Sequence, residues 1–253
     1  MIRQSEIKSL SRQYSVPVST IERDYVQNWL LRYLPEMAFK GGTCLRKIYF
    51  KNYRFSDDLD FTLLKRTDIT NLENKISKVV LKTKAESKIE IENEINSKKV
   101  KNGYSFDIYF RISRVSGSPI KIKIDITEYE NEKIINQIIK KEIEHPYSEK
   151  IDAKVLVYSL DEIFAEKTRS LFERTRPRDI YDVWHLKDNI AFDRKLFKKK
   201  CEFKNFKPDI DELLARKTDF IHSWENSLKH QLKKLPNAEK TFENVIEFLS
   251  NNI

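Results

Sequence analysis

The chain is predicted to be an α+β protein in two parts: a mixed sheet with helices over residues 1–150, then a mainly helical domain over 151–253. Three observations point there. Apolar residues alternate with period 2 in several segments before residue 130, the spacing switches to that of helices after Ser159, and 253 residues suffice for one large or two small cores.

Residues 20–34 (TIERDYVQNWLLRYL) read as an amphipathic helix with Ile21, Tyr25, Trp29 and Leu30 on one stripe, ending before Pro35. A short apolar segment, Met37 to Phe39, leads into Lys40-Gly41-Gly42-Thr43, and Leu45, Ile48 and Tyr49 suggest a helix opening after the glycines. From Asp58 to Leu64 the pattern becomes that of a strand, followed by a helix marked by Ile69, Leu72, Ile76, Val79 and Val80. Strand candidates follow at 88–95, 104–113 and 120–128, with Gly117-Ser118-Pro119 as the turn between the last two. A last strand is expected at 155–159. Ser159 and Glu162 have the spacing of a capping box, and helices are expected at 160–175, 179–188, 208–228 and 239–251.

Two cysteines, Cys44 and Cys201, are too few for a disulfide framework and have no metal-ligand spacing; both read as packing residues in a reducing compartment. No run of residues is long and apolar enough for a membrane span, and the N-terminus is not signal-like, so a cytoplasmic location is expected. Lys and Arg outnumber Asp and Glu by 48 to 39, which favours a polyanionic partner. A Lys-rich, solvated surface gives the same excess, so charge alone does not decide.

The segment RFSDDLDFTLL carries the first chemical signal. A strand starting near Asp58 sends Leu59, Phe61 and Leu63 to one face and Asp58, Asp60 and Thr62 to the other. Paired carboxylates repel unless a cation lies between them, and hard oxygen ligands suit Mg²⁺. A solvated strand edge is the rival reading. In IKIKIDIT the same alternation places Asp125 with Lys121, Lys123 and Thr127; Asp125 either completes a carboxylate triad or pairs with Lys123.

Gly41-Gly42 lets backbone amides approach a phosphate, with Thr43 adding a hydroxyl, although a turn that needs positive φ explains two glycines equally well. The spacing is not that of a Walker A loop. In the helix at 160–175, Ile163, Lys167 and Leu171 share one line, placing a lysine beside core residues, where it either snorkels to solvent or serves a site. Asp179 and Asp182, in RPRDIYDVW, either position Lys167 or a nucleotide, or pair locally with Arg174, Arg176 or Arg178. His145, His185, His222 and His230 show no zinc-ligand spacing.

Taken in order, KGGTCLRK, RFSDDLDF, IKIDIT and AEKTRSLFERTRPRDIYDVW resemble the AbiEii/AbiGii-type, MenT-like nucleotidyltransferase toxins of toxin–antitoxin and abortive-infection systems. The resemblance spans most of the chain and is limited to helical character after about residue 190. It implies a nucleotidyltransferase-like sheet followed by a helical domain that contributes Lys167 and Asp182 to the cleft. It further implies Asp58 and Asp60 as metal ligands, Ser56 beside the triphosphate, Lys167 as a phosphate contact and Asp182 as an essential acid.

The expected reaction transfers a nucleoside monophosphate from a nucleoside triphosphate to RNA, with Mg²⁺ (or Mn²⁺) held by Asp58, Asp60 and Asp125. Gly41, Gly42, Thr43, Ser56 and Lys167 are expected to bind the nucleotide. The acceptor implied by the resemblance is the 3′ end of tRNA, and a cognate antitoxin protein is the implied partner. Two rivals stand: transfer to a protein or small-molecule hydroxyl, and a non-catalytic nucleotide- or RNA-binding module.

Overall fold

A computed structural model describes residues 1–34, 37–113 and 116–253. Pro35, expected to stop the first long helix, lies outside the described residues. The chain divides into two compact units, one of Met1–Glu132 with Ile138–Tyr158, the other of Lys133–Gln137 with Ser159–Ile253. The second unit thus takes its main segment from Ser159 rather than from residue 151, because the last strand of the sheet, Lys154–Val157, belongs to the first.

The first unit runs α1 (Gln4–Tyr14), α2 (Val18–Tyr33), β1 (Met37–Lys40), α3 (Gly41–Cys44), β2 (Asp58–Leu63) and α4 (Ile69–Ser87). It continues with β3 (Glu90–Ile91), β4 (Asn96–Val100), β5 (Gly103–Arg111), β6 (Ile120–Thr127), β7 (Ile139–Glu142) and β8 (Lys154–Val157). The strands form one mixed sheet in the order β3-β5-β6-β2-β1-β8-β7, with β4 also on β5. β2 lies parallel to β6 and β1 parallel to β8; the remaining pairs are antiparallel. The sheet is anchored by one apolar face, on which Leu59, Phe61, Phe106, Ile108, Ile122, Ile124 and Ile126 are buried. A shift of one residue would turn every one of them outward, so this face fixes the register and commits the alternate residues to the other.

Helix α2 is buried nearly all round rather than along a single stripe, with Asp24, Gln27 and Asn28 enclosed beside Ile21, Tyr25 and Trp29. Those polar groups act as fasteners. Gln27 Nε2 donates to the carbonyls of Ser56 and Asp57 at 3.0 and 3.1 Å, and Arg23 bonds both the Asp57 carboxylate and the Lys121 carbonyl. Asp24 receives Arg46, Lys47 and Tyr147 at 3.0, 2.9 and 2.6 Å. The segment entering β2 is thereby held along its length. α3 continues into a π-helical turn at Leu45–Tyr49, so the helix begins at Gly41 itself, slightly earlier than the sequence suggested.

The second unit contains α5 (Leu160–Glu173), α6 (Pro177–Lys187), α7 (Arg194–Phe203), α8 (Ile210–Ala215), α9 (Lys217–His222), α10 (Trp224–Leu228) and α11 (Ala238–Asn252). The single helix expected at 208–228 is three short ones, interrupted at Arg216 and Ser223, where ψ is near zero. Ser159 caps α5 through the Glu162 amide at 3.2 Å, but Glu162 does not close the capping box. Its carboxylate instead accepts from the amides of Ile135 and Asn136 at 2.8 and 3.0 Å, and Lys200 Nζ bridges Glu162, Glu166 and the Lys133 carbonyl at 2.6, 3.0 and 2.6 Å. A buried ion group therefore stitches the segment Lys133–Gln137 into the helical unit. In the same unit Phe164, Phe192, Phe197 and Phe248 form a cluster whose contacting rings have centroids 5.0–5.7 Å apart. No helix among the described residues is long and apolar enough to cross a membrane.

Candidate active site

Within the sheet, Asp58 and Asp60 project from β2 on the face opposite Leu59 and Phe61, as the alternation requires, and both are half-buried. Lys40 of β1 is the register partner of Asp60 on one side and Asp125 of β6 on the other. The third acid is therefore next to the pair. Its Oδ2, however, is bonded to Lys123 Nζ at 2.6 Å, while Oδ1 is buried with no hydrogen-bond partner among the described residues. Both readings of Asp125 keep a foothold, one on each oxygen. Among the described residues no three His, Cys, Asp or Glu side chains are already gathered around a common point.

The glycine pair is required by contact as well as by conformation. Gly41 has φ +76°, and a Cβ there would lie 2.2 Å from Asp60 Oδ2, so the backbone is pressed against the carboxylate. A Cβ on Gly42 would meet a guanidinium nitrogen of Arg54 at 2.5 Å and Ser56 Oγ at 3.1 Å. Gly41, Gly42, Ser56 and Asp60 are thus brought together, with Arg54 added. Thr43 is also there, but fully buried, and its hydroxyl donates to the backbone carbonyl of Asp58. In this position it orients β2 rather than presenting a hydroxyl to a phosphate. Asp57, the neighbour in the doubled acid, is turned to Arg23.

Hard divalent cations are held by one or two carboxylates plus substrate phosphates, and the Asp58–Asp60 pair with the partnerless Asp125 Oδ1 offers oxygen donors of that kind. The cysteines do not compete for this role. Cys44 is buried and its thiol is pushed up by burial, and burial likewise raises Cys201 to about 11, so both are inert thiols at neutral pH. A cleft of about 910 Å³ lies beyond the far end of β2, lined by Leu63, Lys65, Arg66, Lys75 and Lys99 but also by Asp68, Glu128 and Glu130, and it contains none of the site residues.

In the helical unit, Lys167 of α5 is a largely enclosed pivot rather than a snorkelling chain. Its Nζ lies 2.8 Å from both Asp179 Oδ1 and Asp182 Oδ2 of α6, and its side chain is 12 % exposed against 2 % and 0 % for the acids. Arg174 Nε reaches Asp179 Oδ2 at 2.8 Å. The two acids therefore hold Lys167, as one of the sequence alternatives had it, and Asp179 pairs with Arg174 as well. An ammonium has three N–H groups, and two are directed at these carboxylates.

Burial works to raise the pKa of Asp179, but Lys167 and Arg174 override it and hold the carboxyl well below its usual range. The carboxylate consequently adds stability above its unfolded value of 3.8, and that contribution declines as pH falls below 3.8. Thermal melts from pH about 5 to about 3 are expected to show a falling midpoint that Asp179→Asn flattens. An equally steep fall in that variant would remove Asp179 as the source. Asp24 shifts the same way: burial raises it and is outweighed by Lys47 and Arg46. Lys47, lowered by burial against the attraction of Asp24, titrates near about 8.

Against this geometry, residues 26–248 match the family described as "Nucleotidyl transferase AbiEii toxin, Type IV TA system". The chain belongs to the AbiEii nucleotidyltransferase toxin family. That family is one of toxin–antitoxin systems, which implies an antitoxin partner and a nucleoside triphosphate substrate. The fold is similar to that of MenT4, a nucleotidyltransferase toxin from Mycobacterium tuberculosis H37Rv, at TM-score 0.67 and 16% identity over 99% of this chain and 90% of that one. A weaker likeness, TM-score 0.40 at 16% identity over 92% of this chain and 96% of that chain, is to an antigenic nucleotidyltransferase-like protein from Paracoccidioides brasiliensis. No curated protein matches the chain by sequence.

Within this AbiEii chain, sequence reasoning passed over three residues that shape the site. Arg54 is 2 % exposed beside Gly42 and Ser56, and its position two residues before Ser56 on an extended segment was the available signal. Arg23 and Gln27 reach the segment before β2 from α2, Arg23 holding the Asp57 carboxylate and Gln27 the carbonyls of Ser56 and Asp57, for which a helix pattern carries no signal.

Proposed function

We propose that this AbiEii-family chain is a divalent-metal-dependent nucleotidyltransferase toxin that moves a nucleoside monophosphate from a nucleoside triphosphate to RNA, the acceptor being the 3′ end of tRNA, and so blocks translation in the cytoplasm. The observation that carries the reading is the placement of Asp58 and Asp60 on one face of β2 with the backbone of Gly41 against the Asp60 carboxylate. A strand edge built for solubility has no use for a glycine that must stay bare to clear an acid.

Asp58 and Asp60 would hold Mg²⁺ or Mn²⁺, with Asp125 Oδ1 as a third oxygen. When bound, the cation neutralises phosphate charge and favours ionisation of the attacking hydroxyl. The backbone of Gly41 and Gly42, the Ser56 hydroxyl and the Arg54 guanidinium are suited to grip phosphate oxygens, and Thr43 keeps β2 in place beneath them. Lys167, its ammonium fixed by Asp182 and Asp179, would offer its third N–H to a phosphate oxygen. The acceptor oxygen bonds to the α-phosphorus, the bond from that phosphorus to the bridging oxygen breaks, pyrophosphate leaves and the hydroxyl proton passes to water. Most of the acceleration comes from alignment and charge neutralisation.

Incubation with α-³²P-labelled triphosphates, total RNA and total protein tests the assignment. Label is expected in an RNA fraction that resists protease, is lost with chelator, and maps by 3′-end sequencing to tRNA. Label in protein moves the acceptor to a protein hydroxyl. No label in either, together with growth inhibition that survives Asp60→Ala, returns the chain to a binding module.

A further inference from the structure

The polar face that carries the acids extends one strand further. Asp60, Asp125 and Ser105 align across β2, β6 and β5, and in the adjacent row Asp58, Lys123 and Asp107 align in the same way. Directly paired residues point to the same side of a sheet, so all six side chains share one face. Three atoms on that face are buried without a hydrogen-bond partner among the described residues: Asp125 Oδ1, Asp107 Oδ1 and Ser105 Oγ. Ser105 is 1 % exposed. Each carboxylate has its other oxygen on a lysine, Asp125 Oδ2 on Lys123 at 2.6 Å and Asp107 Oδ2 on Lys121 at 3.3 Å.

Buried polar atoms without partners are rare and costly, and three side by side call for a reason other than stability. All three can accept a hydrogen bond. With Asp125 Oδ1 assigned to the cation, the ligand complementary to Asp107 Oδ1 and Ser105 Oγ donates, as a hydroxyl does and a phosphate does not. Lys121 and Lys123 have side chains 47 % and 31 % exposed, long enough to lift from the carboxylates and meet a phosphodiester. Neighbouring strands lie about 4.8 Å apart, which places β5 about 10 Å from β2, close to the size of one nucleoside.

We infer that Ser105 and Asp107, one strand out from Asp125, form a subsite for the 2′-hydroxyl of the acceptor's terminal ribose, with Lys121 and Lys123 facing its phosphate. This rests on the proposed transfer to RNA. The 3′-hydroxyl lies on the Asp125 side, beside the metal-binding acids, and the 2′-hydroxyl donates to Asp107 Oδ1 or Ser105 Oγ. Ser105 and Asp107 are thus residues that position and select the acceptor, while the donor nucleotide is held elsewhere.

The test uses the full chain, saturating triphosphate and short RNA oligonucleotides ending in each of the four nucleosides, each with a terminal ribose or a terminal 2′-deoxyribose that keeps its 3′-hydroxyl. The wild type is expected to prefer ribose by at least ~10-fold in kcat/KM, since a site built to bond a hydroxyl rejects the analogue lacking it. Ser105→Ala and Asp107→Asn are expected to erase that preference by lowering the ribose value to the deoxyribose value, with triphosphate Kd unchanged in an equilibrium titration. Ser105→Ala is also expected to keep or raise Tm, because it deletes a buried hydroxyl that bonds nothing, whereas a structural role predicts a lower Tm. Indifference of the wild type to the 2′-hydroxyl or a preference intact in both variants overturns the subsite. Transfer to neither series by the wild type overturns the transferase reading itself, which is a separate result.

Discussion

Replacing Asp60 by alanine is expected to reduce nucleotide transfer on the order of 10³-fold or more, a barrier increase of about 4 kcal/mol, while leaving the fold intact. Asp60 stands between the backbone of Gly41 and Asp125 and is half-buried on the polar face, so its removal takes away charge at the site without opening the apolar core. Asp60→Asn keeps the shape and is expected to fail as badly, because an amide is a poor ligand for a hard cation. Asp57→Ala is the contrasting case. That acid is paired with Arg23 and turned from the site, so its loss is expected to cost transfer far less. Rate assays on the three purified variants, with circular dichroism as the folding control, decide the matter. An Asp60→Asn protein that works at the wild-type rate removes the metal-ligand assignment.

The second large effect is on stability. Lys167→Met takes the ammonium from two carboxylates that are 2 % and 0 % exposed, and breaking a buried pair by deleting one partner costs about 3–5 kcal/mol. Arg174 stays with Asp179 after the substitution. Urea unfolding should show the loss directly, and adding Asp182→Asn to Lys167→Met is expected to restore part of it, since the acid can then be buried neutral. Transfer should remain absent in the double variant if Lys167 contacts phosphate. Recovery of both stability and transfer would reduce the lysine to a packing device.

Alternation and helical spacing made the central parts of this fold legible. β2, β5 and β6 each bury one apolar face, so Leu59, Phe61 and the isoleucines of 120–126 announce both the strand and the side on which Asp58, Asp60 and Asp125 stand. β4 (NSKKV) and β7 (IKKE) were not foreseen, because edge strands with exposed lysines carry little burial signal and are defined by backbone bonds to a neighbour. The three short helices within 208–228 share one helical spacing, and nothing in the side chains marks the breaks at Arg216 and Ser223. In the candidate site, alternation placed the acids on one face but left open which partner each would choose. Lys123 took one oxygen of Asp125, Lys167 took both Asp179 and Asp182, and Thr43 turned to a carbonyl; such choices depend on distances across elements.

The segment Lys133–Gln137 lies between strands β6 and β7 of the first unit yet is bound by Glu162 and Lys200 of the second. The polypeptide therefore crosses between the units three times, and no single cut in the gene separates them. During synthesis the segment leaves the ribosome before either of the residues that secure it, so the helical unit is complete only after Lys200 has been translated. Shuffling a new C-terminal half onto this sheet by simple fusion would leave the amides of Ile135 and Asn136 without their carboxylate, which ties the inheritance of the two halves together.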